Sequence, residues 1–169
     1  MKLVIDYVRE LIQATRAGWN RFWFTPTDPA TLGLIRILAG AMLFYTHLIW
    51  SLDLEGFFGY QGRLSPEYVN RFHESPFAWS YLNWIQSTSL LWAAHIAALA
   101  ILAMFTLGVA SRATSILAFV ITVSYANRAP GALFGLDQIN GLLAMYLMVG
   151  PCGAAYSLDR VFAKFRCQG

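Results

Sequence analysis

Four ionisable side chains stand inside long apolar runs. Arg36 and His47 lie in Thr31–Leu52, His95 in Leu90–Gly108, and Asp137 in Leu133–Pro151. A charge at the centre of a bilayer costs about 2.5–3.5 kcal/mol on insertion scales, so each of these residues is a candidate for function. Gln138 and Asn140 accompany Asp137 and can bond its carboxylate or line the same space. Depth ties three of the four together. His47 lies five residues inside one end of its run, His95 five and Asp137 four. At a rise of about 1.5 Å per residue, all three sit roughly 6–8 Å below the same surface. They are expected to meet in one outward-opening polar pocket, with Asn127, Arg128 and Asp53 at its rim. A carboxylate beside two imidazoles can hold a polar ligand or carry protons; each histidine alone could equally bond only a backbone carbonyl. Two histidines make a metal site only with a third ligand, and no spacing supplies one, so no metal is expected. Arg36 falls near the opposite end of its run and is expected to form a structural ion pair with Asp159, or with Asp28, or to reach lipid phosphate. No Ser/His/Asp triad, glycine-rich phosphate loop or paired-cysteine redox motif stands out.

These residues need helices to position them. Gly33, Arg36, Gly40, Phe44 and His47 recur every three or four residues and so share one helix face. Asp137, Asn140, Gly141 and Ala144 make a second small and polar stripe. Small residues let neighbouring helices approach closely, so both stripes are expected to face a bundle interior. A spanning helix needs about 20 mostly apolar residues. Four segments approach this: Thr31–Leu52, Leu90–Gly108, the short Ala113–Ala126, which must borrow its flanks, and Leu133–Pro151.

The start of the chain reads differently. In Met1–Phe24, Leu3, Val4, Val8, Leu11 and Ile12 share one side, while Lys2, Asp6, Arg9, Glu10, Gln13 and Arg16 take the other. Trp19, Phe22, Trp23 and Phe24 follow. That pattern predicts an amphipathic helix lying in the membrane interface and ending in an aromatic anchor. Pro26 and Pro29 then break the chain. The aromatic loop Asp53–Ser89 carries two helix-start signals, Ser65-Pro66-Glu67 and Ser75-Pro76-Phe77, and predicts two short surface helices.

Composition sets the class. Of 169 residues, 57% are hydrophobic and 12% charged, with mean hydropathy +0.50; soluble domains carry about 25% charged residues. The expected fold is all-α, an integral membrane four-helix bundle with the lipid bilayer as its first partner. Net charge is only +3, with most basic residues at the ends of apolar runs, which excludes a nucleic-acid footprint. Cys152 and Cys167 are too far apart in sequence to suggest a disulfide framework. Met1–Thr15 carries Asp6 and Glu10 and lacks a signal-peptide core. Four spans put both termini on one side, and that side holds Lys2, Arg9, Arg16, Arg21, Arg112, Arg160, Lys164 and Arg166 against Arg63, Arg71 and Arg128 on the other. Both termini are therefore expected in the cytoplasm. The chain divides into an interfacial helix over residues 1–24, a four-span domain over 25–160 and a cytoplasmic tail over 161–169.

Three stretches together resemble a known family. They are Leu32-Gly33-Leu34-Ile35-Arg36-Ile37 with Gly40; Leu107-Gly108-Val109-Ala110-Ser111-Arg112-Ala113; and Ser124-Tyr125-Ala126-Asn127-Arg128-Ala129-Pro130, followed by Gly135-Leu136-Asp137, Gly150-Pro151-Cys152-Gly153 and Tyr156-Ser157-Leu158-Asp159. In their order and spacing they are similar to the horizontally transferred transmembrane (HTTM) domain, which includes the membrane half of vitamin K-dependent gamma-carboxylase. The resemblance runs from about Thr25 to Asp159. It implies a bacterial inner-membrane protein and a quinone such as vitamin K as possible cofactor. The family's reactive lysine lies in a motif beyond the matched region, and Lys164 does not match it. The resemblance therefore implies a polytopic module lacking the catalytic half, to be completed by a second membrane subunit or a split C-terminal half. The alternatives are a quinone-binding subunit of a redox or carboxylation enzyme, with distant likeness to DoxX-like proteins, and a small transporter.

Overall fold

The computed structural model describes residues 2–25, 28–65, 67, 69, 71 and 78–166, with backbone alone for 2–5 and 23. The described residues form helices joined by turns and loops, with no strand among them. Helix α1 spans Lys2–Phe24, α2 Ala30–Trp50, α3 Leu54–Phe58, α4 Thr88–Leu107, α5 Ser111–Arg128, α6 Gly135–Val149 and α7 Leu158–Arg166. Single 3₁₀ turns stand at Ser51–Asp53, Tyr81–Trp84 and Pro130–Ala132.

Local chemistry explains the boundaries. Pro29 precedes α2, and the Asp28 carboxylate accepts the Ala30 N–H at 2.9 Å. Helix α4 stops at Gly108, whose φ of 72° is left-handed. There the Gly108 and Val109 N–H groups return to the Phe105 and Met104 carbonyls, closing the last turn. Asp137 opens α6 by accepting the Phe134 N–H at 2.9 Å. Ser157 does the same for α7 through the Arg160 N–H.

The four long helices pack in a ring: α2 on α4, α4 on α5, α5 on α6, and α6 back on α2. Successive members run in opposite directions, so the bundle is up-and-down. Leu43, Leu102, Phe105, Ala118, Ala144 and Leu147 fill its centre. Close approach of α2 and α4 depends on Gly40, where an added Cβ would stand 2.6 Å from the Thr106 hydroxyl.

The bundle is apolar at its centre and over much of its outside, with polar groups buried between. Arg36, His47, His95, Ser115, Ser124, Arg128 and Asn140 are buried, while Leu34, Leu38, Ile49, Ile96, Leu107, Ile139, Leu142 and Val149 face outward. A globule in water does the opposite with its large aliphatic and charged groups. Two helical runs are long and apolar enough to cross a membrane: Ala30–Phe58, with mean hydropathy 1.7, and Thr88–Leu107, with 2.1. Only 33% and 28% of these windows are buried. The other two expected spans are weaker. At about 1.5 Å per residue, α5 extends about 27 Å and α6 about 22 Å, against a hydrocarbon core of about 30 Å. Helix α6 is shorter than the predicted Leu133–Pro151 because Leu133 and Phe134 follow the 3₁₀ turn in extended form and Gly150 leaves helical geometry.

Helix α1 has the predicted extent, and none of its described side chains from Asp6 to Phe22 is buried. Val8, Leu11 and Ile12 are exposed together; Leu3, Val4 and Trp23 lie outside the described side chains. Residues 161–166 of the expected tail belong to α7, which reaches Arg166. It exposes Val161, Phe162 and Phe165 beside Arg160 and Lys164. In the long loop, Glu67, Val69 and Arg71 are helical and the Val69 N–H donates to the Ser65 carbonyl at 3.0 Å, a helical turn at the first predicted start. Pro66 and the whole second signal, Ser75-Pro76-Phe77, lie outside the described residues.

Candidate functional site

The predicted polar residues gather at one end of the bundle, where α2 and α5 finish and α4 and α6 begin. Tyr125 of α5 is the hub. Its hydroxyl stands 2.8 Å from His95 Nδ1. His95 Nε2 lies 2.9 Å from Ser51 Oγ, and the Ser51 hydroxyl reaches the His47 carbonyl at 3.3 Å. A carbonyl can only accept, so Ser51 donates to it and accepts from His95 Nε2–H. That leaves Nδ1 of a neutral His95 to accept from Tyr125. Around this line, Trp50 stacks on Tyr125 with centroids 5.5 Å apart, and Phe58 and His47 meet its edge at 4.9 and 4.7 Å.

His47 is held differently. Its Nδ1 lies 2.8 Å from the Leu43 carbonyl one turn back. Nδ1 therefore carries the proton, and Nε2 is left with a bare lone pair. Nε2 is buried with no hydrogen-bond partner among the described residues, as is Nδ2 of Asn140. Both side chains line a cavity of about 10 Å³, with Thr46, Trp50, Thr122 and Asp137 among its other walls.

The open pocket expected at this depth is thus corrected to a closed cluster. Aromatic rings fill the space, and the room left suits about one water. A quinone does not fit there, because pockets for drug-sized ligands run to about 300–1,000 Å³. His47, Asp137 and Asn140 do meet at one cavity, and His95 joins them through Tyr125. Gln138 does not: it is exposed, because it lies about 100° around the helix from Asp137, whereas Asn140 lies back on the same side. Asn127 and Arg128 do not line a rim either. The Asn127 amide donates to the Trp79 carbonyl at 2.8 Å. Arg128 is fully buried and donates to the Leu64 and Gly59 carbonyls at 2.6 and 2.9 Å. Together with Ser124, which accepts the Tyr81 N–H and whose carbonyl takes the Ser80 hydroxyl, they staple the long loop to the end of α5. Asp53 pairs with Arg63 at 2.8 Å. The stapled loop presses Tyr81 against Tyr125, and burial pushes the Tyr81 hydroxyl up to about 12, with a hydrogen bond to Tyr125 pulling it partly back.

A wider opening of about 590 Å³ lies in the same loop, walled by Glu55, Tyr60, Gln61, Arg63 and Gln86. Its charged groups are engaged elsewhere, Arg63 with Asp53 and Glu55 with the Trp92 indole N–H.

At the opposite end, the expected Arg36–Asp159 ion pair is replaced by two separate arrangements. Arg36, fully buried, donates to the Cys152 and Tyr156 carbonyls at 2.8 and 2.6 Å. Asp159 accepts the Ala110 and Ser111 N–H groups, both at 2.7 Å, and the Ser111 hydroxyl at 2.8 Å. A carboxylate on the first N–H groups of α5 satisfies donors that the helix cannot, and it meets the positive end of the helix dipole. Burial raises the Asp159 carboxyl, but these donors and the nearby Arg36 together outweigh it and hold the group below its ordinary value. Left-handed Ala110 and Tyr156, with φ of 47° and 51°, shape the two loops that supply these contacts.

Tyr125, Ser51 and Trp50 were not singled out from the sequence. The signal for Tyr125 was present: Ser111, Ser115, Ala118, Thr122 and Tyr125 recur every three or four residues as a small and polar stripe on α5. Among the described residues no group of three or more His, Cys, Asp or Glu side chains could hold a metal ion. The chain matches no protein-family model, no curated protein and no solved structure.

Proposed function

We propose that this chain is a four-span integral membrane module of the HTTM type, partner-dependent rather than catalytic by itself, with both termini in the cytoplasm. The observation that carries the reading is the aliphatic exterior: a bundle with buried arginines, histidines and hydroxyls and so much apolar surface outside is best accommodated where that surface meets lipid. The short α5 and α6 then fit by local thinning of the bilayer and by hydrogen bonding of their polar ends within the bundle. Helices α1 and α7 lie along the cytoplasmic surface, apolar sides down and basic residues toward lipid headgroups. The stapled loop faces outward and closes over the buried His47–His95–Tyr125 cluster, and its outer face is where a second membrane subunit docks. A quinone, if the assembly uses one, binds where that subunit meets the bundle, since the cluster has no room for it. The inner membrane of a bacterium is the compartment this reading assigns.

Single-cysteine labelling tests the topology. Sites at Gln61 and Gln86 should label from outside and a site at Arg160 only after permeabilisation; labelling of all three from one side refutes it. Lipid extraction of the purified chain, alone and with a co-expressed neighbouring subunit, tests the quinone. A quinone retained by the chain alone contradicts the partner-dependent reading.

A further inference from the structure

We infer that the small cavity between α2, α5 and α6 is a binding site for a single water that bridges His47 and Asn140, giving His47 a proton-carrying neighbour inside the bundle. The inference does not rest on the family or on a quinone. Three observations carry it. The cavity measures about 10 Å³, at the lower edge of what one water needs. Two of its walls are polar side chains at least nine-tenths buried, His47 at 1% and Asn140 at 3% exposure. Their His47 Nε2 and Asn140 Nδ2 atoms have no partner among the described residues. A buried polar atom without a partner is costly, so two of them at the walls of one small space call for a shared ligand.

Their chemistry is complementary to water and to little else of that size. The Leu43 carbonyl holds the His47 proton on Nδ1, so Nε2 accepts one water O–H. The Asn140 N–H donates to the water oxygen. The second O–H finds an oxygen on the same walls, where the Thr46 and Thr122 hydroxyls already donate to the Met42 and Ala118 carbonyls and keep lone pairs free. Three bonds are what a buried water ordinarily makes. The Asn140 donor and the small volume disfavour a cation, and size excludes an organic ligand.

The test uses the full chain, isotopically labelled, in lipid vesicles, with water as the probe. Magnetisation transferred selectively from water should reach the His47 ring and the Asn140 side-chain amide, and the nitrogen spectrum should show the Nδ1–H form of His47. Asn140→Leu, which removes the donor and fills the space, should abolish the transfer to His47 while the His95–Tyr125 ring contacts persist. Ala126→Leu fills the cavity from another wall and should act likewise with Asn140 intact. Absence of transfer to the His47 ring in the wild type overturns the inference by itself, so it does not depend on either variant folding. Transfer that survives at full strength in a folded variant overturns it too.

Discussion

The two ends of the bundle solve the same problem and then part ways. Each buries one arginine completely, Arg36 at one end and Arg128 at the other, and each guanidinium donates to two backbone carbonyls of a loop. At the Arg36 end the remaining polar work is done by backbone, by left-handed turns and by one capping carboxylate, so the joint is sealed. At the Arg128 end the arginine holds a loop over side chains that bond one another through titratable atoms, and there a small cavity remains beside two polar side chains with unpartnered atoms. A buried arginine is therefore not by itself the mark of a site in this molecule. What separates the ends is whether histidine and phenol atoms bond one another or backbone groups and one carboxylate take most of the bonds.

Replacing the arginines is the strongest way to break this parallel. Each makes two charge-assisted hydrogen bonds, and such bonds contribute about 1.5–3 kcal/mol apiece, so Arg36→Ala should cost about 3–6 kcal/mol of stability. Arg36→Lys should recover little, because one ammonium cannot span two carbonyls as the guanidinium fork does. Arg128→Ala should show its effect locally, as faster proteolysis between Gly59 and Leu64, with a smaller shift in global unfolding measured by denaturant in detergent. Equal global losses at both ends would mean that the loop is as integral to the fold as the Arg36 joint.

Gly108→Ala comes next. A left-handed φ costs a non-glycine residue about 1–2 kcal/mol. The added Cβ would also stand 2.8 Å from the Arg36 guanidinium carbon. Together these should lower stability by about 2–3 kcal/mol. A neutral result would show that the Arg36 joint is looser than its geometry.

These predictions also separate what the sequence showed from what it hid. The long helices were legible because apolar runs of that length have few alternatives, and the face joining Gly33, Arg36, Gly40 and His47 followed from spacing. The partners of the arginines were not legible. Every residue has a carbonyl, so a guanidinium that bonds carbonyls leaves no complementary residue to search for, and Asp159 offered a false one. Depth was legible for His47, His95 and Asp137, but depth alone does not give rotation, and Gln138 was included although one step of the helix turns it outward. Tyr125 lay hidden because an aromatic residue in an apolar run looks like core, and only its hydroxyl makes it a hub.

That hub gives a smaller effect on the other side of the comparison. Tyr125→Phe keeps the ring packed against Trp50 and Phe58 and removes the hydroxyl's hydrogen bonds to His95 and Tyr81, at about 0.5–1.5 kcal/mol apiece. The histidine spectrum should change at His95 more than at His47. A change confined to His47 would show that Tyr125 acts through ring contact and not through the His95 bond.

The smallest expected effect, and the one that isolates the capping carboxylate, is acid sensitivity at Asp159. Its folded-state pKa lies below the ordinary carboxyl value of 3.8. Such a group adds stability that is fully present above the unfolded pKa and is lost as pH falls through the folded one. Unfolding midpoints of the wild type and of Asp159→Asn, compared from pH 6 downward, should keep a constant gap until about pH 4 and then converge below it. The gap arises because the carboxylate accepts from Ala110 and Ser111 N–H and from the Ser111 hydroxyl, while an amide can accept at only one of its two positions. The cost of Arg128→Ala should stay flat through the same range, since a guanidinium bound to carbonyls does not titrate there. If the Asp159→Asn gap persists unchanged to pH 3, the carboxylate is not what seals this end, and the left-handed turns at Ala110 and Tyr156 hold the joint by backbone geometry alone.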